Sequence, residues 1–269
     1  MRTIVHLSDL HFGRVDERLL GPLSRLAESL EPHVVVVSGD LTQRARRHQF
    51  HEARAFLDTL PHPQIVIPGN HDVPLVNVWK RFSSPLAGFR SIIERDAEPF
   101  YVDEEIAVLG LNTARSLTWK AGRLNEEQFA KARERLAPLP SSVMKVVVTH
   151  HPFDVPPGGH ERDLVGRARP AMAAFAAAGA DLFLSGHLHV SHTGHTADRY
   201  EIEGHSALVI HAGTATSTRQ RGEVNSFNVL HVEAGTLTLV RCDWDPGRGT
   251  FLPRPEERYA RGPRGWEPA

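Results

Sequence analysis

Short, continuously apolar runs punctuate the first two-thirds of the chain, at residues 3–7, 33–38, 64–68, 106–111, 145–150 and 181–186. Runs without polar alternation are what strands covered on both faces should show. Three later runs, 206–213, 226–233 and 236–244, alternate more and predict antiparallel strands with one exposed side. Helical periodicity fills the gaps between the early runs. Residues 17–30 place Leu19, Leu20, Leu23, Leu26, Ala27 and Leu30 on one face, and residues 46–60 do the same with Phe50, Ala53, Phe56, Leu57 and Leu60. Asn125 caps a predicted helix running to Leu136, with Glu126 and Glu127 in its first turn. An alanine-rich stretch, 169–178, stops at Gly179. Strand–helix alternation followed by a series of strands predicts an α/β sandwich with two sheets. With no repeat and no clean linker, we read one domain over residues 1–244 and a Pro-, Gly- and Arg-rich tail over 245–269. Phe251, Tyr259 and Trp266 give that tail a means of strapping across the body, and without such packing it would fray.

Composition narrows the class. The 269 residues are 41% hydrophobic and 23% charged, enough for a substantial core, and the formal net charge of -1 offers no whole-molecule attraction to a polyanion or an anionic membrane. A lone cysteine, Cys242, rules out an intramolecular disulfide and thiolate clusters. The N-terminal run turns polar too soon for a signal-peptide core, and no apolar stretch approaches the roughly 20 residues of a membrane helix. The expectation is a soluble cytoplasmic protein without a membrane partner. Seventeen histidines are more than usual for this length, so their positions matter.

Those positions coincide with strand ends. The first run leads into Asp9 and His11, the second into Asp40, and the third into Asn70, His71 and Asp72. The fifth leads into His150 and His151, and the sixth into His187 and His189. In open α/β sheets, side chains from separate loops meet at the carboxyl ends of the strands. Singly, each residue has a bland reading as a turn, cap or core residue; together, in order and all at strand tips, they point to a site. Imidazole with carboxylate and no thiolate suits zinc, iron or manganese. One ion takes about four ligands, whereas seven or eight are on offer, enough for two ions with Asp40 as the natural bridge. Paired ions about 3.5–4 Å apart are an arrangement for phosphoryl hydrolysis.

The ordered motifs "DLH", "GD", "GNHD", a later His and "GHLH" resemble the calcineurin-like metallophosphoesterase superfamily. "HLSDLHFG", "SGDLT" and "PGNHD" are most similar to its bacterial cyclic-nucleotide and glycerophosphodiester phosphodiesterase branch. The resemblance implies a four-layer α/β/β/α sandwich with two mixed β-sheets. It implies Asp9, His11, Asp40 and His189 around one metal, and Asp40, Asn70, His150 and His187 around a second. It also places His71 beside the leaving group, as transition-state stabiliser or general acid, with Asn70 and His71 contacting substrate. One departure stands out: where protein phosphatases of this superfamily carry "GDxxDRG", this chain reads "GDLTQRA", with Gln43 in place of the Asp that supports the catalytic His.

The expected activity is hydrolysis of small phosphodiesters with two divalent ions (Mn, Fe or Zn), by attack of a hydroxide bridging them. Substrate choice should lie in residues 112–123, 151–163 and 213–223. There Arg219 and Arg221 are either phosphate partners or solvated loop charges, and His192 and His195 read better as surface than as substrate contacts. A phosphomonoesterase is the nearest alternative, and a non-enzymatic scaffold on the same fold is the more distant one. A nucleic-acid polymer would want a basic track that this composition does not advertise. The C-terminal strands or tail offer a surface for a homodimer.

Overall fold

A computed structural model describes residues 1–75, 77–118, 120–219, 222–262 and 265–269. The first apolar runs form β1 (Arg2–Leu7), β2 (Val34–Val37) and β3 (Gln64–Val66), which lie parallel to one another. β4 (Phe100–Val102) is a short edge strand antiparallel to β5 (Ile106–Leu111), and β5 runs parallel to β6 (Met144–Thr149), itself parallel to β7 (Leu182–Ser185). β8 (His192–His195) and β9 (Leu208–His211) complete this second sheet, in the order β4-β5-β6-β7-β9-β8. The first sheet is extended by β10 (Ser226–Glu233), antiparallel to β1, then by β11 (Thr236–Asp245), β13 (Glu257–Gly262) and β14 (Gly265–Pro268). β12 (Thr250–Pro253) pairs with the far end of β11. Both sheets are therefore mixed.

Alternate residues of each strand feed different cores. Ile4, Val34, Val36 and Ile65 of the first sheet face Val146, Val148, Leu184 and Ile210 of the second. Their neighbours Val5, Val35, Val37 and Val66 instead pack under α1 (Glu17–Ser29) and α2 (Arg47–Leu57), through Leu19, Leu23, Phe50 and Phe56. On the far side, Leu109, Val147 and Phe183 pack under α5 (Glu126–Leu136) and α6 (Ala168–Ala177), through Phe129, Leu136, Met172 and Phe175. Helices, sheet, sheet, helices: the four layers follow from burying both faces of strands that are apolar on both faces.

The helices match the periodicity closely. Asp16 caps α1 by accepting from the Arg18 amide, and Asn125 caps α5 by accepting from the Gln128 amide. One strand expectation is corrected. Residues 206–213 predict a half-exposed antiparallel strand; β9 does pair antiparallel with β8, but it is buried along its length and runs parallel to β7 on its other side. β8, whose polar sequence HTGH carries no strand signature, covers the edge that β9 would otherwise present. The segment 245–269 supplies β12–β14, with Phe251, Tyr259 and Trp266 buried, so its described part is strapped down by its aromatics; the boundary at 244 falls one residue inside the end of β11.

Two short helices, α3 (Val78–Ser83) and α4 (Ala87–Ile92), lie between β3 and β4. Arg81 of α3 is buried, and its guanidinium donates to the carbonyls of Pro74, Ser116 and Thr118 at 3.1, 2.7 and 2.9 Å. It thereby ties α3 to the 112–123 loop. Arg81→Met strips these carbonyls of their donor and is expected to destabilise the fold by about 2–3 kcal/mol, checked by urea unfolding.

Candidate metal centre

The carboxyl ends of β1, β2, β3, β6 and β7 point to one seam between the sheets, and every residue expected at the site lies there. Main-chain bonds set the loops: the Asp9 amide donates to Gly39 O at 3.1 Å and the His11 amide to Asp40 O at 2.9 Å. Asn70, His71 and Asp72 form a single 3-10 turn after β3. His11 Nε2 lies 3.4 Å from Asp9 Oδ1 and 3.8 Å from Asp40 Oδ2. His189 Nε2 lies 3.3 Å from the same Asp9 oxygen. His150 Nε2 sits 3.4 Å from Asp40 Oδ2, 3.1 Å from Asn70 Oδ1 and 3.3 Å from His187 Nδ1. His71 joins through its amide, which donates to Asp40 Oδ1 at 2.8 Å.

Three features show that these residues fit divalent ions. Imidazole nitrogens converge with lone pairs facing: His11 Nε2 and His189 Nε2 are 3.3 Å apart. Asp9 Oδ1 is buried with no hydrogen-bond partner, an arrangement that costs free energy unless a cation compensates it. Two of the outer nitrogens are engaged by main-chain carbonyls. His150 Nδ1 donates to Ser38 O at 2.8 Å and His189 Nδ1 to Arg219 O at 3.0 Å, which turns each Nε2 toward the cluster. Asp9, His11 and His189 form one cluster with ligand atoms within 4.8 Å of one another, and Asp9, Asp40 and His150 form another. These clusters suit divalent metal ions.

The electrostatics agree. Burial works against charge on Asp9, but His189, His11 and His150 hold its carboxyl below the ordinary range; burial likewise opposes His150, His71 and His11 at Asp40, which is held well below. Burial also opposes charge on His150, and Asp40 and Asp9 outweigh it, lifting its pKa to about 9. A field that draws a proton to Nε2 draws a metal cation to the same place. Burial and His150 push His187 down to about 3. Backbone strain marks the same residues. Asp9, His11, Asp40, His187 and His189 make up five of the eight non-glycine residues with positive φ among those described.

Several supporting groups escaped the sequence reading. Asp72, quoted within the motif but given no role, is a cradle rather than a ligand. Its carboxylate accepts from the amides of Leu41, Thr42 and Gly69 at 3.1, 2.8 and 2.9 Å and from the Thr42 hydroxyl at 2.9 Å, locking two of the loops together. Burial, with Asp40 nearby, raises it to about 6. Gln43, standing where a supporting Asp was sought, supplies its main-chain carbonyl instead and accepts from His71 Nδ1 at 2.9 Å. His151 is buried beside His187 and bonds Thr113 Oγ1 at 2.7 Å and Lys120 O at 2.9 Å. None of these could be found from residue type alone, because main-chain acceptors leave no mark in the sequence.

A cleft of about 620 Å³ opens above the cluster, lined by Asp40, Asn70, His71, His187 and His189. All three expected loops reach it, through Lys120, through His160, Arg162 and Asp163, and through Arg219. Arg219 is thus a cleft residue rather than a solvated loop charge; Arg221 lies outside the described residues. His192 and His195 do not line the cleft: His192 bonds Asp154 at 3.2 Å, and His195 packs near Tyr259. A larger groove, about 990 Å³ between α1 and α2, holds none of the candidate ligands.

Comparison with known proteins places this geometry. The model of the calcineurin-like phosphoesterase family matches residues 2–191, and the chain belongs to that family. A glycerophosphodiester phosphodiesterase, GpdQ, of Enterobacter lignolyticus (strain SCF1) is 34% identical over 80 residues, covering 26% of this chain and 29% of that protein. The fold is shared with a purple acid phosphatase from yellow lupin (Lupinus luteus), with a TM-score of 0.72 at 12% identity over 96% of this chain and 53% of the other. A dimetal phosphatase from Danio rerio gives a TM-score of 0.65 at 14% identity over 94% and 98%.

Glycines let the loops approach. A Cβ on Gly69 would lie 2.2 Å from Asp40 Oδ1, and one on Gly186 would lie 1.7 Å from Ser8 Oγ and 2.5 Å from Asp9 Oδ2. Gly69→Ala and Gly186→Ala should each weaken Mn²⁺ binding by roughly tenfold or more, read by calorimetry. Gly21→Ala, inside α1 beside only the flexible end of Arg25, should leave it unchanged.

Proposed function

We propose that this calcineurin-like phosphoesterase is a dinuclear-metal phosphodiesterase acting on small phosphodiesters. The observation that carries the reading is the complete ligand set around Asp40, with His71 and Arg219 at the edge of the cleft. Asp9, His11, Asp40 and His189 would hold one ion, and Asp40, Asn70, His150 and His187 the other. Divalent ions there supply Lewis acidity to phosphoryl oxygens and acidify water toward neutral pH. The partial match to a glycerophosphodiester phosphodiesterase supports the diester over the monoester.

The protein's own groups divide the remaining work. Hydrolysis forms one P–O bond to water oxygen and breaks the P–O bond to the alcohol, whose oxygen leaves as the anion and takes up the proton that the water gives to solvent. His71 Nδ1 must donate to the Gln43 carbonyl, and Arg219 Nη1 lies 3.2 Å from His71 Nε2, where only the guanidinium can donate. His71 therefore enters as the neutral imidazole, in keeping with burial, His11 and Arg219, which lower its pKa against the pull of Asp40. The imidazole positions the guanidinium, whose charge is permanent, to stabilise negative charge on the leaving oxygen. Buried Asp72 and the Gln43 carbonyl keep this pair in register with the ligand set.

With added Mn²⁺, bis(p-nitrophenyl) phosphate should be cleaved with a higher kcat/KM than p-nitrophenyl phosphate; the reverse order would move the protein to the phosphomonoesterases. Asp40→Ala should abolish stoichiometric metal binding measured by elemental analysis. His71→Gln should retain metal while kcat falls by up to about 10²–10³-fold, and loss of metal in that variant would contradict the role assigned to His71.

A further inference from the structure

A diester carries one negative charge, which the ions that the ligand set would hold, together with Arg219, already meet, yet the cleft holds further cations. Lys120 and Arg162 both line it, with His160 from the loop of Arg162 and Asp163 as the one lining carboxylate besides Asp40. We propose, building on the phosphodiesterase reading, that the substrate carries a second phosphate, bound by Lys120 and Arg162.

The main chain that carries the two cations is fixed, and both side chains are exposed in the cleft lining. The Lys120 carbonyl is pinned by buried His151, and the same imidazole packs so tightly on Gly122 that a Cβ there would lie 2.2 Å from it. Arg162 sits in a 3-10 turn, Glu161–Asp163, closed by the Asp163 and Leu164 amides donating to His160 and Glu161 carbonyls. The two loops are zipped together: the Gly166 amide donates to Gly122 O at 2.8 Å and the Leu124 amide to Gly166 O at 3.2 Å. Of the two carboxylates flanking Arg162, Glu161 pairs with Arg199 at 3.7 Å, and Arg199 in turn donates to Asp154 at 2.9 Å, while Asp163 lines the cleft without an ion pair to Arg162. Neither Lys120 nor Arg162 pairs with a carboxylate among the described residues. A lysine point charge and an arginine fork lining one cleft suit a phosphate monoester, which takes both a bidentate partner and a point counter-charge.

The test uses a matched pair: thymidine 5′-(p-nitrophenyl phosphate) and the same compound with a 3′-phosphate. Nitrophenol release reads only the diester bond, and the leaving group is identical. The 3′-phosphate should raise kcat/KM by roughly tenfold or more, and the ratio between the two substrates should fall toward one in Lys120→Met and Arg162→Met. A binding readout runs beside it. By calorimetry on the Mn²⁺-loaded protein, thymidine 3′,5′-bisphosphate should bind several-fold more tightly than thymidine 5′-monophosphate, and the two substitutions should remove the difference. Circular-dichroism melting confirms that the variants are folded. A ratio near one in the unmodified protein, or a preference that survives both substitutions, overturns the proposal. Failure to cleave either substrate overturns the phosphodiesterase reading instead, and the bisphosphate binding comparison then decides the second-phosphate site by itself.

Discussion

Two carboxylates buried at one seam are the constraint from which the rest follows. Asp9 and Asp40 present oxygens within 4.8 Å of each other and of His150, in the interior where two sheets meet. Like charges at that range repel by about 3 kcal/mol even at an effective dielectric near 20. The protein surrounds them with imidazoles, backs the imidazoles with main-chain carbonyls, and leaves Asp9 Oδ1 without a partner. Such an interior is stable only with positive charge at its centre, and divalent cations meet that need in few atoms.

The fold provides the seam by exhausting every other way of burying its strands. Because the strands are apolar on both faces, each sheet needs a partner on both sides, and the sheets cover one another. The parallel strands β1, β2 and β3 then end beside β6 and β7, and the loops leaving them converge. Positive φ at Asp9, His11, Asp40, His187 and His189 is strain that the surrounding packing and the Asp72 cradle sustain. The loop that carries His150 continues outward to Arg162, and the loops after β5 and β9 place Lys120 and Arg219 around the same opening.

What the sequence made legible was whatever depends on residue type at a strand end. Asp9, His11, Asp40, Asn70, His71, His150, His187 and His189 could all be read because polar groups directly after apolar runs are conspicuous. The helices α1, α2, α5 and α6 were legible from period and caps. β8 was not, because His192–His195 has no apolar pattern and is a strand only by pairing with β9. α3 and α4 are too short to show a period. The role of Asp72 was hidden because a carboxylate that accepts amides and one that ligates a metal look alike in a motif. Which loop charges line the cleft was equally hidden: Arg219 and Arg162 acquire their place from tertiary packing, whereas His192 turns away to Asp154.

The central claim is that the seam holds two ions sharing Asp40. Anomalous diffraction at the manganese edge, from crystals grown with Mn²⁺, tests it most directly. The account predicts two peaks about 3.5–4 Å apart, one against Asp9, His11 and His189 and the other against Asn70, His150 and His187, with Asp40 between them. One peak at full Mn²⁺ saturation, or a pair that does not share Asp40, would contradict it.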